Sequence, residues 1–307
     1  MEHQINLTVE ESDAGKRLDT FLAASCMDLS RSYIQKLIKD HRVGINRNFD
    51  VKSKIAVSSG DLITIHLPEP ETLTITPQDI PLDILYEDQD VLVVNKPKGM
   101  VVHPAPGHYS DTLVNAVMFH CKDNLSAING VLRPGIVHRI DKDTTGALIV
   151  CKNDRSHKCI SEQLKAHSIT RTYQAIVYHN FSEDRGTIDL PIGRHPTDRK
   201  KRTVTDKNSK RAVTHYTVLD HLDHQFNHIE CRLETGRTHQ IRVHMAHIGH
   251  PLLGDTVYGP NSIKYKKLQG QTLHAGTIGF VHPTTDEYME FKAPLPDYFK
   301  KLLKNLK

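Results

Sequence analysis

Apolar residues near the start of the chain recur at helical spacing, with polar residues between them. Residues 18–22 place apolar side chains at i, i+3 and i+4, which predicts a short helix. Residues 34–38 repeat that spacing after Ser30, whose side chain favours the N-cap position of a helix. Two short apolar segments follow, at residues 43–45 and 62–65. The pattern therefore predicts a small α/β unit with two helices.

Further along, short apolar runs bounded by polar or turn-forming residues are interspersed with a few amphipathic segments. The apolar runs predict strands at residues 84–86, 91–94, 147–151, 173–177, 213–219, 226–233 and 273–280. Helical spacing predicts helices at residues 113–120, 155–167, 238–248 and 298–306. Because strands outnumber helices and do not alternate with them regularly, we expect an α+β fold with a mixed, mainly antiparallel sheet.

A stretch rich in proline and acidic residues separates the two parts. It begins with Pro68-Glu69-Pro70-Glu71 and continues through Pro77 and Pro81, a composition typical of extended linkers. We therefore expect a small domain at residues 1–67, a linker at 68–81 and a large domain at 82–307.

The charge of the chain is unevenly distributed. Charged residues make up 25% of the 307 residues and hydrophobic ones 38%, and the formal net charge is only +4. The basic residues are clustered, however, because residues 31–54 contain seven Lys and Arg against two Asp, and residues 194–211 contain eight against two. These clusters favour a polyanionic partner such as nucleic acid, although a solvated surface would have the same composition.

The cysteines and apolar runs indicate the compartment. The five cysteines are odd in number and form no Cys-x-x-Cys pair, which favours free thiols in a reducing environment. The first residues lack the apolar region of a signal peptide, and no apolar run approaches the roughly 20 residues that span a membrane. We therefore expect a cytoplasmic protein without a membrane contact.

One polar segment interrupts an apolar stretch and carries the best candidate for catalysis. The apolar pair at residues 136–137 leads into the polar residues 138–146, and apolar residues resume at 147–151. A strand that breaks in this way can hold a carboxylate such as Asp141 on a rigid support. The same side chains, Asp143 included, could instead bond the local backbone as a turn. The residue chemistry leaves both interpretations open.

The motif in that segment resembles the catalytic motif of the RluA family of pseudouridine synthases. It reads Arg-x-Asp-x-x-Thr-x-Gly from Arg139 to Gly146. Further segments that resemble motifs of this family lie at residues 85–104, 171–175, 235–255 and 273–283. Residues 15–19, 30–31 and 43–46 of the small unit resemble the S4 RNA-binding domain. The resemblance thus extends over most of the chain.

The resemblance implies a role for each of four side chains, and the position of Ile241 one helical turn beyond Arg237 suggests a fifth. Asp141 is the catalytic carboxylate, and Arg237 is the cation that keeps it ionised. Tyr173 stacks on the target base, and Arg139 moves into the space that the flipped base leaves. Ile241 forms an apolar wall for the uracil. Pseudouridine formation oxidises nothing and transfers no group, so we expect neither a cofactor nor a metal.

Each of these positions also has a purely structural interpretation. Arg139 could form a salt bridge with Asp141 or Asp143, and Tyr173 alternates with apolar residues as in a half-buried strand. Ile241 could belong to the core face of its helix. Basic side chains expected to contact RNA are Arg31, Lys36, Lys39, Arg199, Lys200 and Arg202.

A histidine-rich region suggests a different chemistry. Its members are His215, His221, His224, His228, His239, His244, His247 and His250. Histidines spaced on a helix can bind zinc, but no His-Glu-x-x-His pattern accompanies them. A metal-dependent nuclease or hydrolase is therefore an alternative hypothesis that the chain does not favour.

The combined prediction is an RNA pseudouridine synthase that acts as a monomer on structured RNA. An S4-like domain joined to this catalytic domain most resembles family members of the RluD-like branch, which implies large-subunit (23S) ribosomal RNA as substrate. Transfer RNA is an alternative substrate. A non-catalytic RNA-binding or ribosome-assembly factor on the same scaffold is an alternative function.

Overall fold

A computed structural model describes residues 3–26, 29–67, 75–104, 108–122, 124–128, 133–223, 225–260 and 263–307. The chain divides into two compact units, residues 1–73 and residues 74–307. Among the helices in the described ranges, none has both the length and the apolar character needed to cross a membrane.

The small unit packs two helices on a three-stranded antiparallel sheet. Its elements are β1 (His3–Thr8), α1 (Leu18–Ser25), α2 (Arg31–Lys39), β2 (Val43–Ile45) and β3 (Leu62–Leu67). The strand order is β1-β3-β2, so the last strand of the unit is its central one. The side-chain oxygen of Ser30 accepts a hydrogen bond from the Tyr33 amide at 3.3 Å, which confirms the predicted cap of α2.

The core of the small unit comes from the apolar stripes of its helices and from alternate positions of its central strand. Fully buried members of this cluster are Leu18, Leu22, Ile34, Leu37, Ile63 and Ile65. The helices that the sequence pattern predicts in this unit are therefore confirmed, with the expected faces buried.

The large unit contains a second set of strands and helices. Its strands are β4 (Ile84–Glu87), β5 (Val91–Lys96), β6 (Thr145–Cys151), β7 (Thr170–Tyr178), β8 (Arg185–Asp189), β9 (Ile192–Arg194), β10 (Arg202–Val204), β11 (Ser209–Lys210), β12 (Val213–Leu222), β13 (Phe226–Leu233), β14 (Leu273–Val281) and β15 (Tyr288–Lys292). Its α-helices are α3 (Leu113–Cys121), α4 (Asp154–Lys165), α5 (Gln240–His247) and α6 (Asp297–Asn305). All the helices and strands predicted for this unit are present, although several short strands were not predicted.

Most of these strands form one large mixed sheet. Within the described residues it has nine strands in the order β4-β5-β6-β14-β7-β13-β12-β8, with β15 paired to β14 outside this path. β6 and β14 pair in parallel, and the other neighbours pair antiparallel. A smaller antiparallel sheet has the order β10-β9-β11. The predicted α+β fold with a mainly antiparallel sheet is confirmed.

The large sheet is covered on both faces near its centre. Every residue of β6 is buried, and its side chains alternate between two apolar clusters. Leu148 and Val150 join the cluster that also includes α3 and α5, whereas Ile149 joins the cluster on the side of α4. Because residues on both sides of this strand are buried, its polar N-terminal extension has a rigid support.

The predicted linker differs from the structure in its second half. Residues 68–74 lie outside the described ranges. The side chain of Ile75 is only 6% exposed and belongs to the large apolar cluster of the large unit. The Asn115 side chain donates to the Thr76 carbonyl at 2.8 Å, and the Gln78 amide donates to the Asn115 carbonyl at 3.0 Å. Residues 75–81 are therefore part of the large unit, because apolar burial and hydrogen bonds fix them there.

Candidate active site

Asp141 lies on a tight turn just before the central strand β6. The Thr144 amide donates to the Asp141 carbonyl at 3.1 Å and closes the turn. Upstream, the Nε2 atom of His138 accepts a hydrogen bond from the Ile149 amide at 2.9 Å, so the segment is also tied to the middle of β6. The turn predicted as an alternative to a catalytic role is thus present, but its bonds use the backbone and leave the Asp141 carboxylate available.

A buried lysine, Lys96, is hydrogen-bonded to the same turn. The side chain of Lys96 is 1% exposed, and its Nζ atom donates to the carbonyls of Pro97, Met100 and Lys142 at 2.8, 2.7 and 3.0 Å. Burial lowers the pKa of Lys96 to about 7, and the two carboxylates of the turn oppose that shift. Because three acceptors match the three hydrogens of an ammonium group, Lys96 joins the end of β5 to the turn.

Arg242 is the cation that contacts Asp141. Its Nη1 atom lies 2.9 Å from Asp141 Oδ2, and the Asp141 side chain is 19% exposed. Arg242 lies in the first turns of α5 and is itself buried. A charge-assisted hydrogen bond of this kind holds a carboxylate in one orientation.

A second carboxylate fixes Arg242 in turn. Arg242 donates from Nε to Asp255 Oδ2 at 2.6 Å and from Nη2 to Asp255 Oδ1 at 2.9 Å. The amides of Val257 and Tyr258 donate to the same Oδ1 atom at 2.9 and 3.0 Å. Burial opposes ionisation of Asp255, but these bonds outweigh it and the pKa of Asp255 falls below its ordinary value. Arg242 is therefore held in place by a permanent anion and presents its remaining nitrogen to Asp141.

A histidine and a tyrosine complete this wall of the site. His239 Nε2 lies 3.8 Å from Asp141 Oδ2, and its Nδ1 atom lies 2.8 Å from the Tyr258 hydroxyl. That hydroxyl also accepts a hydrogen bond from the Arg202 amide at 2.8 Å. Burial lowers the pKa of His239, although Asp141 opposes the shift, so the imidazole is neutral at neutral pH.

The predicted site residues meet at one pocket. Its walls include Asp141, Arg139, Tyr173, Arg237 and Ile241, together with Arg242. A wider opening of about 570 Å³ shares several of these residues and leads to the surface of the large unit. The structure therefore brings together side chains that are up to about a hundred positions apart in the sequence.

The structure corrects the role predicted for Arg237. Arg242, and not Arg237, forms the ion pair with Asp141. The Nε atom of Arg237 instead donates to the Arg211 carbonyl at 3.0 Å. His239 adopts a left-handed backbone with φ 59°, so α5 begins only at Gln240 and Arg237 lies outside it. The motif resemblance assigned this role to Arg237, five positions before the arginine that contacts Asp141.

Tyr173 and Ile241 each belong to the packed interior and also line the pocket, so both interpretations of these positions apply. Tyr173 is one of the buried residues that alternate with half-buried ones at the start of β7, it is 9% exposed, and it also lines the pocket. Burial raises the pKa of Tyr173, so its hydroxyl is protonated at neutral pH. Ile241 is 3% exposed and packs in the same apolar cluster as Met245, while its side chain forms part of the pocket wall.

Arg139 lies at the edge of the pocket without a carboxylate partner in the described part of the chain. Its side chain is exposed, and its Nη1 atom lies 3.3 Å from His103 Nε2. Burial, reinforced by the nearby arginine, lowers the pKa of His103 to about 4, so this nitrogen can accept the hydrogen bond. The salt bridge considered for Arg139 is therefore not formed with either aspartate of the turn.

The basic cluster at residues 194–211 includes a loop between two strands. Residues 195–201 connect β9 to β10, and Arg199 and Lys200 are exposed on this loop. Arg202 begins β10 and lines a groove of about 330 Å³ together with Lys210 and Arg237. These three cations have no carboxylate within 4.0 Å among the residues that the structure describes.

The basic face of α2 is only partly free. Lys36 and Lys39 are exposed, as predicted. Arg31, in contrast, donates to the buried carboxylate of Asp19 at 3.1 Å, and Arg17 donates to the same carboxylate at 3.0 Å. One carboxylate neutralises one of the two arginines, so part of the positive charge remains at this end of α2.

The histidines proposed as metal ligands have separate partners. Nδ1 of His244 pairs with the Thr214 hydroxyl at 2.9 Å, and the ring of His250 stacks on Phe181 at 3.8 Å between centroids. His224 lies outside the described residues. The described His, Cys, Asp and Glu side chains contain no group of three or more that could hold a metal ion.

Three of the residues that build the site were not predicted as such: Arg242, Asp255 and Lys96. Arg242 and Asp255 lie in the segment 235–255, and Lys96 lies in the segment 85–104. Both segments resemble family motifs. The sequence signal was therefore present, but nothing in the linear pattern indicates that an arginine in the middle of a helix points to a carboxylate a hundred positions earlier.

Comparisons with known proteins identify the class of enzyme. The RNA pseudouridylate synthase family model matches residues 90–247. A Bacillus subtilis protein named as an uncharacterized RNA pseudouridine synthase is 53% identical over 99% of this chain and 99% of its own. The ribosomal large subunit pseudouridine synthase D of Zymomonas mobilis is 46% identical, covering 98% of this chain and 96% of its own. That of Escherichia coli O157:H7 is 42% identical, covering 98% and 93%.

A solved structure shows the same fold. The human RNA pseudouridylate synthase domain containing 1 superimposes with a TM-score of 0.58 at 26% identity, covering 78% of this chain and 97% of its own. The chain belongs to the RNA pseudouridine synthase family. The enzyme class predicted from the sequence motifs is thereby confirmed.

Proposed function

We propose that this pseudouridine synthase isomerises uridines in large-subunit ribosomal RNA, with Asp141 as its catalytic carboxylate. The observation that carries this proposal is the geometry of Asp141. Arg242 holds one carboxylate oxygen at 2.9 Å, and the group faces a pocket that Tyr173 also lines. A carboxylate fixed in one orientation beside a buried aromatic ring suits a reaction at the sugar of a base held against that ring.

The chemistry needs a carboxylate and little else. The N1–C1′ bond breaks, the uracil turns, C5 bonds to the same sugar carbon, the C5 proton leaves and N1 becomes protonated. Asp141 serves either as the nucleophile at C1′ or as the base that removes a neighbouring sugar proton. Tyr173, whose raised pKa keeps it protonated, packs against the base and supplies a hydroxyl near the proton step.

Access to the target requires that the base leave the RNA stack. Arg139 is exposed at the pocket edge and free of carboxylates among the described residues, so it is available to enter the space that the base vacates. Arg199, Lys200 and Arg202 on the loop and strand nearby are proposed to contact RNA phosphates.

We assign ribosomal RNA as the substrate on the basis of relatives that carry this function in their names and resemble the whole chain. The small unit is proposed to act as an S4-like RNA-binding domain through the exposed Lys36 and Lys39 of α2. We also propose that the protein acts as a monomer in the cytoplasm.

The experiment is pseudouridine mapping of total RNA. A strain that lacks this protein is complemented with the wild type, with Asp141→Asn or with Asp143→Asn, a carboxylate two positions away that does not line the pocket. We expect defined uridines of large-subunit ribosomal RNA to lose modification in the deletion strain. The wild type and Asp143→Asn restore them, and Asp141→Asn does not.

Each alternative hypothesis predicts a different pseudouridine map. If the deletion strain loses pseudouridines in transfer RNA, transfer RNA is the substrate instead. If it loses none, a ribosome-assembly factor is favoured. Restoration by Asp141→Asn to the wild-type level would disprove the catalytic assignment.

A further inference from the structure

Arg171 is a buried arginine without a counterion in the described part of the chain, and it borders the active-site opening. Its exposure is 7%, and no described carboxylate lies within 4.0 Å of its guanidinium. Its Nη2 atom donates to the Glu234 carbonyl at 3.0 Å, whereas its Nε atom is buried without a hydrogen-bond partner. A buried cation with an unused donor is costly unless an anion joins it.

The position of Arg171 relative to the reacting group is defined by β7. Arg171 and Tyr173 are two residues apart in this strand, so their side chains are on the same face of the sheet, about 7 Å apart along the strand. Both line the wider opening, which also includes Asp141. Whatever Arg171 binds therefore lies within one nucleotide of the base that packs on Tyr173.

The surroundings of Arg171 are strongly positive. Lys165, His167, Arg139 and Arg237 line the same opening, and Asp141 is its one described carboxylate. Because Asp141 is already paired with Arg242, it does not neutralise the other cations. The opening is therefore suited to an anion that enters from solvent.

A glycine allows the guanidinium to occupy this place. A Cβ atom at Gly236 would lie 2.4 Å from Nη1 of Arg171, so any larger residue would displace the guanidinium. The backbone at Gly236 does not have the positive φ that would itself require glycine. The small residue is thus explained by the room that Arg171 needs.

We propose that Arg171 binds a phosphodiester of the RNA strand directly beside the target uridine. This inference rests on the proposed function, because it places the strand next to the base on Tyr173. The Nε atom and the remaining hydrogens of the guanidinium donate to phosphate oxygens, in the planar arrangement that arginine offers to phosphate. The bound phosphate then supplies the counterion that the described residues do not.

The test is the salt dependence of RNA binding. Binding of a short oligouridylate is measured over a series of salt concentrations for the wild type, Arg171→Gln, Arg171→Lys and Gly236→Ala. The control is Arg155→Gln, which removes an exposed arginine of α4 that lines neither part of the active-site opening. Oligouridylate requires no mapped site, so this measurement remains valid if the proposed ribosomal substrate is wrong.

For Arg171→Gln we expect about 10- to 100-fold weaker binding at low salt, because one charge-assisted contact is lost. The slope of log affinity against log salt should decrease by about 0.7, the value for one phosphate contact to a single strand. Arg171→Lys should keep most of the slope. Gly236→Ala should weaken binding because it moves the guanidinium without removing its charge, and Arg155→Gln should behave as the wild type.

Two results would overturn the proposal. One is an unchanged affinity and slope in Arg171→Gln. The other is a reduced single-turnover rate at saturating RNA with affinity and slope unchanged, since Arg171 would then act on the Asp141 region and not on a phosphate. If Arg171→Gln fails to fold, Arg171→Lys and Gly236→Ala decide, and wild-type affinity in Gly236→Ala would contradict the proposal. If the wild type isomerises no uridine in ribosomal RNA, the proposed function is refuted instead.

Discussion

Asp19 in the small unit and Asp141 in the large unit are both bonded to arginine, but the ratio of carboxylates to arginines is reversed between the two clusters. Asp19 is fully buried and accepts hydrogen bonds from Arg17, Arg31 and Gln35 at 3.0, 3.1 and 2.7 Å. One carboxylate there satisfies several donors.

At Asp141 one arginine satisfies two carboxylates. Arg242 gives two of its donors to Asp255 and one to Asp141 Oδ2, and the Asp141 side chain remains 19% exposed. No described residue donates a hydrogen bond to the other oxygen of Asp141. Both oxygens of Asp19 are occupied by bonds, some of which join α1 to α2. At Asp141, in contrast, Arg242 orients the carboxylate and leaves one oxygen able to react. The difference separates a structural ion pair from the one at the proposed catalytic carboxylate, although the residue types are the same.

The largest predicted effect comes from removing the shared arginine. Arg242→Met leaves the buried Asp255 without its counterion, which costs about 3–5 kcal/mol of stability, and releases Asp141 from its fixed orientation. We expect a single-turnover rate of pseudouridine formation at least about 100-fold lower. Arg242→Lys keeps the charge but cannot bridge both carboxylates, so it should recover part of the stability and little of the rate. A rate close to that of the wild type in Arg242→Met would remove the distinction drawn between the two clusters.

Asp19 should show the opposite profile. Asp19→Asn removes the negative charge opposite two arginines that are about half exposed and replaces one acceptor oxygen with a donor, so we expect the small unit to lose about 1–3 kcal/mol. Hydrogen exchange within residues 3–67 measures this loss separately from the large unit. The rate at saturating RNA should be unchanged. Asp13→Asn, which breaks a more exposed pair with Lys16, is the control and should change stability by less than about 0.5 kcal/mol.

The same cluster predicts a pH dependence. Burial opposes ionisation of Asp19, but hydrogen bonds from Arg17, Gln35 and Arg31 outweigh it and hold the pKa of this carboxyl well below its ordinary value. Its contribution to stability is therefore complete above the unfolded pKa of about 4 and decreases as the pH falls below that value. The stability difference between the wild type and Asp19→Asn should shrink as the pH is lowered from 5 to 2. A constant difference would show that ionisation of Asp19 does not stabilise the unit.

A smaller effect is expected from removing the hydroxyl of Tyr258, which lies beside His239 at the candidate active site. Tyr258→Phe keeps the ring whose centroid lies 5.1 Å from the Arg242 guanidinium carbon but removes the hydroxyl bonded to His239 and the Arg202 amide. We expect a loss of about 1 kcal/mol in stability and a rate reduced about 5- to 10-fold, because His239 is less well oriented. Tyr109→Phe, at an exposed tyrosine, is the control. An equal response of both variants would show that the hydroxyl has no part in the site.

The sequence predicted the helices and central strands well because their apolar periodicity is strong. It predicted Asp141, Tyr173, Arg139 and Ile241 at one pocket through motif resemblance, and the structure places them there. The short strands β8 to β11 were not predicted because few of their side chains are buried and no periodic pattern marks them.

The partner of Asp141 was missed for a local reason. The left-handed backbone of His239 lies between Arg237 and α5, and the arginine that contacts Asp141 lies within α5, five positions after Arg237. Asp255, which makes Arg242 rigid, is brought in by tertiary packing alone. A left-handed residue that is not glycine has no reliable signature in a single sequence.

The central claim is that Asp141 performs the chemistry while its neighbours only hold it. It is tested most directly by single-turnover pseudouridine formation on a large-subunit ribosomal RNA transcript with purified wild type, Asp141→Asn and Asp143→Asn. We predict that Asp141→Asn lowers the rate at least about 1,000-fold with thermal unfolding and RNA affinity unchanged, and that Asp143→Asn remains within about tenfold of the wild type. A rate for Asp141→Asn within about tenfold of the wild type would contradict the account.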